Sequence, residues 1–265
     1  WISSTPRTGS MWLFNVTREI LKESGYKVYP KLVTQHDQDN EFMNIYYKEA
    51  LPDQNNLNKY VFKVHTILKS NIPRSKILTT IRDPRDICVS FKEFMRTDFK
   101  SALNATKTML NFTKIYKNFE SDYLMILKFE NIEKKPINII IEIGKFINCK
   151  ISYNLAEKIS NKFSKDNVKK MIKKNDNNLN FKMKENKKIS KSEIVYFSKE
   201  NYRSFDVNTG FQTGHISKRN SGDWKKILSP KEIEVVNSQF KDFLIENNYE
   251  KIKRFTKRNT YIPII

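Results

Sequence analysis

The sequence predicts an α/β fold of three layers, with a central parallel sheet of about four to five strands flanked by helices. Three observations carry that prediction. Short β-branched and aromatic runs recur at Trp1–Thr5, Tyr60–Val64, Lys76–Arg82 and Asp122–Lys128. Segments with apolar residues at helical spacing alternate with them, as in a doubly wound sheet. Turn residues such as Gly9, Gly25 and Asp83-Pro84 mark the places where one kind of segment gives way to the other.

The first run, Trp1–Thr5, reads as a strand ending at the turn Pro6-Arg7-Thr8-Gly9. Beyond it Trp12, Leu13, Val16 and Ile20 form one apolar helical stripe, with Ser10 expected as the N-cap. A strand, a small-residue turn and a helix N-terminus make a P-loop-like anion site. Backbone N–H groups converge there and the helix dipole favours negative charge. Arg7 adds a cation at its mouth. The same residues also fit an ordinary strand-to-helix connection with a capping Ser. The nucleoside-triphosphatase loop is excluded, because Ser10 and Met11 follow Gly9 where Lys and Ser/Thr are required.

Gly25 ends the first helical pattern, and Tyr26–Pro30 reads as a short edge or linking segment. Residues 31–58 are polar and read as helix and loop. Tyr60–Val64 is the second core strand, delivering Lys63 and His65 to the C-terminal edge of the sheet, where ligands of open α/β sheets sit. A capping or surface role for His65 stands beside a catalytic one. Lys76–Arg82 is the third strand. Asp83 is placed to cap the next helix with Pro84 at its first position, and Ile87, Ser90, Phe91 and Phe94 share one face. Arg82 and Ser90 can together hold a phosphate dianion, the Arg through paired charge-assisted bonds and the Ser through one donor. A local ion pair of Arg82 with Asp83 or Asp86 is the competing reading.

Residues 101–119 read as an amphipathic helix, Asp122–Lys128 as the fourth strand and Pro136–Ile147 as a further helix. From Asn154 to Glu200 the chain is Lys- and Asn-rich. No further strand is expected there, only helices and a mobile basic excursion or solvated charged face. Thr209–Ser229 holds three of the six glycines together with several cations, a composition able to fold over an anion. Ser229-Pro230 opens a last amphipathic helix reaching Tyr249.

Composition bounds the function. The 265 residues carry 49 Lys and Arg against 29 Asp and Glu, a formal charge of +20. Such a surface attracts nucleotides, acidic glycans, nucleic acid or anionic lipid, although a general bias toward Lys, Asn and Ile gives the same excess. Cys88 and Cys149 provide neither a disulfide framework nor metal spacing, which fits a reducing compartment. No apolar run approaches the roughly 18 residues of a membrane span. The expected location is the cytoplasm. The first residue is Trp1, so a targeting or anchoring segment ahead of it stays open.

Four separated pieces resemble one family, the sulfotransferases that use 3′-phosphoadenosine-5′-phosphosulfate (PAPS). TPRTGSMW, residues 5–12, is similar to that family's 5′-phosphosulfate loop, and KVH, residues 63–65, to its Lys-x-His. RDPRDICVS, residues 82–90, has its Arg and Ser for the 3′-phosphate. SKRNSGDWK, residues 217–225, resembles its C-terminal loop over the nucleotide. There are departures. Ser217 stands where the family has Arg, Arg219 where Gly is common, and Phe129 where Tyr is usual. Ser229-Pro230 replaces Thr-Val in the dimer motif, which leaves the oligomeric state open.

The resemblance implies one sulfotransferase domain over residues 1–265, with 175–215 a mobile insertion on the acceptor side. It implies in-line transfer of a sulfuryl group from PAPS to a hydroxyl or amine, leaving 3′,5′-ADP (PAP). His65 is then the general base, at an imidazole pKa near its ordinary value, with Lys63 and Arg7 as catalytic cations. Arg7, Thr8, Gly9, Ser10, Met11, Trp12, Arg82, Ser90, Phe129, Lys218, Arg219 and Gly222 are the implied nucleotide ligands, with Trp12 stacked on adenine. No metal is expected, since the transferred group carries less charge than a phosphoryl and the chain supplies cations. The partner is an acceptor small molecule, lipid or glycan, with no nucleic acid expected. Two other classes remain open: a kinase-like nucleotide enzyme, which should show a triphosphate-binding Lys and Mg²⁺ carboxylates, and a non-catalytic basic module for glycan or nucleic acid.

Overall fold

The computed structural model describes residues 1–34, 57–65, 75–113, 116, 122–196 and 202–250. Its centre is a four-stranded sheet in the order β4-β1-β5-β6, formed by Lys63–Val64, Ile2–Ser3, Ile77–Ile81 and Leu124–Lys128. All three pairings are parallel, with Ile2 opposite both Lys63 and Leu78, and Ile77–Ile81 running alongside Leu124–Lys128. Every residue of β5 is buried, which explains its near-continuous apolar and Thr sequence.

Helix α1, Ser10–Glu23, follows β1 directly and buries Leu13, Phe14, Val16 and Ile20. These pack with Ile139, Ile140 and Ile143 of α5 (Pro136–Phe146), Ala156 and Ile159 of α6 (Tyr153–Lys162), and Val168 and Ile172 of α7 (Lys165–Lys184). Fully burying one such side chain is worth about 1.5–3 kcal/mol, so this cluster is a principal source of the fold's stability. A second cluster joins α2, Pro84–Met95, to α3, Phe99–Thr113, and to the C-terminal helices α8 (Trp224–Ile227), α9 (Pro230–Gln239) and α10 (Lys241–Glu246). Helix α4, Phe129–Lys134, starts directly where β6 ends.

Three local expectations are corrected. Tyr60–Val64 is not one strand. Asn58–Tyr60 (β3) pairs in parallel with Lys27–Tyr29 (β2) in a separate sheet, where Tyr29 and Tyr60 stack at 5.6 Å. The chain changes sheets between Val61, whose N–H donates to the Tyr29 carbonyl, and Phe62, whose carbonyl accepts from Ile2 N–H. The Lys- and Asn-rich region does contain strand: Ile194–Tyr196 (β7) pairs antiparallel with Tyr202–Ser204 (β8). With three residues each, these strands are too short to display alternation.

The third correction concerns Ser10, which is the first residue of α1 and not its cap. The N-cap is Gly9, in the left-handed region at φ 93°, and no side chain caps the helix. The neighbouring Thr8 hydroxyl is already engaged, donating to the Thr5 carbonyl and bonding Thr80 Oγ1, both at 2.6 Å. By contrast α2 is capped as expected. Pro84 is its first residue and Asp83 Oδ1 accepts from Arg85 N–H at 2.9 Å.

Candidate active site

The C-terminal ends of β1, β4 and β5 bring the predicted residues together. Arg7 lies in the turn after β1 with φ 68°, an uncommon backbone for a residue with a Cβ. Its Nε donates to Ser90 Oγ at 2.9 Å, and its carbonyl accepts from Arg82 Nη1 at 3.2 Å. Arg7, Arg82 and Ser90 thus form one hydrogen-bonded chain across residues far apart in sequence. The competing ion pair of Arg82 does not form among the described residues. Arg85 takes Asp83 instead, at 2.8 Å. Arg82 rests over the Phe129 ring at 4.3 Å, and its Nε is buried with no hydrogen-bond partner among the described residues. A buried guanidinium N–H left in this way is the donor an anion would satisfy. The side-chain-free cap of α1 beside it offers helix N–H groups to the same charge.

His65 follows β4. Its Nδ1 lies 2.7 Å from the Ser4 carbonyl, so Nδ1 carries the proton and Nε2 the lone pair. Lys63 Nζ donates to that Nε2 at 3.1 Å. Burial, then the Lys63 ammonium, lower the imidazole pKa to about 3, against the pull of the Ser4 hydrogen bond. The expectation of an ordinary imidazole pKa is therefore corrected: a cation sits on its lone pair. Burial likewise lowers Arg7 to about 9, helped by Arg82 and Arg203 and opposed by Glu93.

The other predicted residues divide into two groups. Gly9 packs against Phe129 so closely that a Cβ would stand 2.8 Å from Phe129 Cδ2. Met11 and Trp12 are partly buried against the main core cluster. In the 217–225 loop, Gly222 N–H donates to Asp86 Oδ2 at 2.8 Å. Arg219 pairs with Glu93, which also accepts from Ser217 Oγ at 3.3 Å. Lys218 is exposed.

Several members of the site were not singled out in the sequence. The Arg7 guanidinium lies 4.3 Å from the Phe94 ring centre and that of Arg203 4.0 Å. His215 stacks on the same ring at 5.6 Å, and its carbonyl accepts from Arg7 Nη2 at 3.4 Å. Burial, followed by Arg7, Lys63 and Arg203, holds the His215 imidazole well below its ordinary pKa. The one signal for His215 is its place in the Gly-rich segment as one of three histidines. Arg203 carries no such signal, and only the tertiary fold brings it to the Phe94 ring beside Arg7.

The protein-family model described as Sulfotransferase domain matches residues 1–207. The 217–225 loop lies beyond that match. A crystal structure of mouse sulfotransferase SULT7A1 complexed with PAP is similar in fold, at 14% identity and TM-score 0.62, covering 94% of this chain and 84% of that one. Retinol dehydratase with androsterone and inactive cofactor PAP is similar at 14% identity and TM-score 0.57, over 92% of this chain and 80% of that one. Its complex with retinol and PAP gives 14% identity and TM-score 0.56 over the same shares, 92% and 80%. No curated protein sequence matches the chain.

Proposed function

The chain belongs to the sulfotransferase domain family, and from that premise we propose that it moves a sulfuryl group from PAPS to a hydroxyl or amine, with His65 as general base. The single observation that carries the reading is the bonded chain Arg82–Arg7–Ser90 lying on the same sheet edge as His65, with Arg82 Nε buried and without a hydrogen-bond partner among the described residues. A nucleotide with phosphoryl groups at both its 3′ and 5′ positions fits that distribution of cations.

PAPS, when bound, supplies an activated sulfuryl group whose S–O bond to the 5′-phosphate breaks as a bond from sulfur to the acceptor forms. Arg7 and the first-turn N–H groups of α1 stabilise the charge gathering on the departing phosphate. Arg82 and Ser90 bind the 3′-phosphate, and Phe129 supports Arg82 from below. Thr8, Ser10, Met11, Trp12, Lys218, Arg219 and Gly222 complete the nucleotide contacts in this reading. With the nucleotide bound, Lys63 would leave His65 Nε2 for the added negative charge. That move exposes the lone pair and removes the nearest cation from the imidazole. Anionic charge in the crevice then raises the pKa of His65 from its low starting value, so Nε2 can take the acceptor's proton. The acceptor is a small molecule, lipid or glycan. Cys88 and Cys149, both buried free thiols, fit a reducing compartment such as the cytoplasm. Among the described residues no helix is long and apolar enough to cross a membrane.

Thermal-shift titration tests the nucleotide. Stabilisation by 3′,5′-ADP and none by ATP–Mg²⁺ is expected, and the reverse result defeats the proposal in favour of a kinase-like enzyme. Incubation with radiolabelled PAPS and a panel of alcohols, lipids and glycans then tests transfer.

A further inference from the structure

Asp86 lies in the first turn of α2, between Arg82 and Ser90 in sequence, and is buried at 4% exposure. Among the described residues it forms no ion pair with Arg82, and its carboxylate is taken up by backbone donors instead. Its Oδ2 accepts the Gly222 N–H at 2.8 Å and its Oδ1 the Trp224 N–H at 3.4 Å. Both donors belong to the 217–225 loop, more than a hundred residues downstream. Gly222 has φ 90°, the left-handed backbone that lets its N–H turn toward the carboxylate.

We propose that Asp86 is a positioning residue that latches the 217–225 loop to the helix carrying Ser90, so that loop and 3′-phosphate site close on the nucleotide as one unit. The inference rests on the nucleotide reading above. Charge-assisted bonds from a carboxylate to backbone N–H groups are about twice as strong as neutral ones, which suits a latch made of only two contacts. The rest of the loop is tied weakly and at the surface. Arg219 and Ser217 meet Glu93, Lys165 Nζ donates to the Arg219 carbonyl at 2.8 Å, and Ser221 meets Glu133. Exposed pairs of this kind contribute little. Trp224 adds an apolar anchor under Arg85, whose guanidinium lies 4.1 Å from its ring.

The groups facing Asp86 are Arg82, which favours its charged form, Asp83, which opposes it, and the two loop amides. Asp83 is itself neutralised by Arg85, and Asp223 of the loop by Lys226. Burial is the largest influence and raises the carboxyl to about 6, within reach of a titration.

The test compares the full chain with Asp86→Asn, which keeps the shape, removes the charge and leaves one acceptor oxygen for two donors. Amide hydrogen exchange at Gly222 and Trp224 without nucleotide is expected to quicken at least tenfold, while β5 is unchanged. Calorimetric affinity for 3′,5′-ADP is expected to fall on the order of ten- to a hundredfold. Between pH 7 and 5.5 the wild-type affinity should decline more steeply than that of the variant, which keeps every other titrating group of the crevice and lacks only the Asp86 carboxyl. Unchanged exchange overturns the latch. So does 3′,5′-ADP affinity equal to wild type. Should the wild-type chain fail to bind 3′,5′-ADP, the nucleotide reading falls, and the exchange comparison still decides the latch. If the variant does not fold, the Gly222 amide shift of the wild type is followed against pH: an inflection near 6 supports the latch, and a flat profile overturns it.

Discussion

Lys63 Nζ stands 3.1 Å from His65 Nε2, so the nitrogen proposed to take a proton is covered by an ammonium group. Removing the imidazole tests its role. His65→Asn should lower sulfuryl transfer by about 10²–10⁴-fold, the usual contribution of a general base. Affinity for 3′,5′-ADP should change by less than about threefold. Transfer that survives intact rules out His65 as the base.

The cation itself is the second target. Lys63→Met takes the ammonium off Nε2 and leaves burial, the larger cause of the low His65 pKa, in place. The imidazole should therefore titrate above about 3 while burial still holds it down, and 3′,5′-ADP should raise it in the wild-type chain. NMR titration of the ring protons measures both shifts. An unmoved value in the variant means that Lys63 does not cover Nε2 in solution.

Arg82 provides the sharpest nucleotide test, because its Nε is buried without a partner among the described residues. Arg82→Gln should weaken 3′,5′-ADP about ten- to a hundredfold, the range for hydrogen bonds to a charged group. Binding of 5′-AMP, which lacks the 3′-phosphate, should hardly change. Equal losses for both nucleotides would take the 3′-phosphate away from Arg82.

Gly9→Ala meets two obstacles. The left-handed backbone costs a residue with a Cβ about 1–2 kcal/mol, and the new methyl would stand 2.8 Å from Phe129 Cδ2. A fall in Tm of several degrees is expected, at about 2–4 °C per kcal/mol for a chain approaching this size. Phe129→Leu in the same chain should recover the steric part and not the backbone part, which differential scanning calorimetry can separate.

Acid should destabilise the fold. His65 and His215 are held below the unfolded value of 6.5, so the unfolded chain binds more protons as pH falls through the window from 6.5 toward 3. Stability present above pH 6.5 is progressively lost across it. Asp86 acts the other way, since its carboxyl is raised to about 6 and the folded chain takes up its proton first. Two histidines against one carboxylate leave a net loss. His65→Asn should flatten the plot of urea midpoint against pH, and an unchanged slope would contradict the low pKa.

Much of this arrangement is legible in the linear sequence. The strands at Trp1–Thr5, Lys76–Arg82 and Asp122–Lys128 show in their β-branched runs, and the α2 cap shows in Asp83-Pro84, because those signals are local. The splitting of Tyr60–Val64 between two sheets is not legible, since no residue within it marks the exchange of partners at Val61 and Phe62. Ser10 misleads because a hydroxyl next to Gly is a good cap on average. Here the left-handed Gly9 takes that position itself. Arg203, Phe94 and His215 meet only through the tertiary fold, and each alone reads as an ordinary surface or core residue. The depressed His65 pKa depends on burial and on the Lys63 contact, neither of which a spacing of two residues can report.

The strand that holds Lys63 and leads into His65 is only two residues long and lies at the margin of the described sheet, whereas Arg82 follows a fully buried central strand. Local opening favours margins over centres. Gentle warming should therefore strip the molecule of chemistry before it strips it of ligand: turnover fades first, while the half-disabled protein still clings to its spent nucleotide.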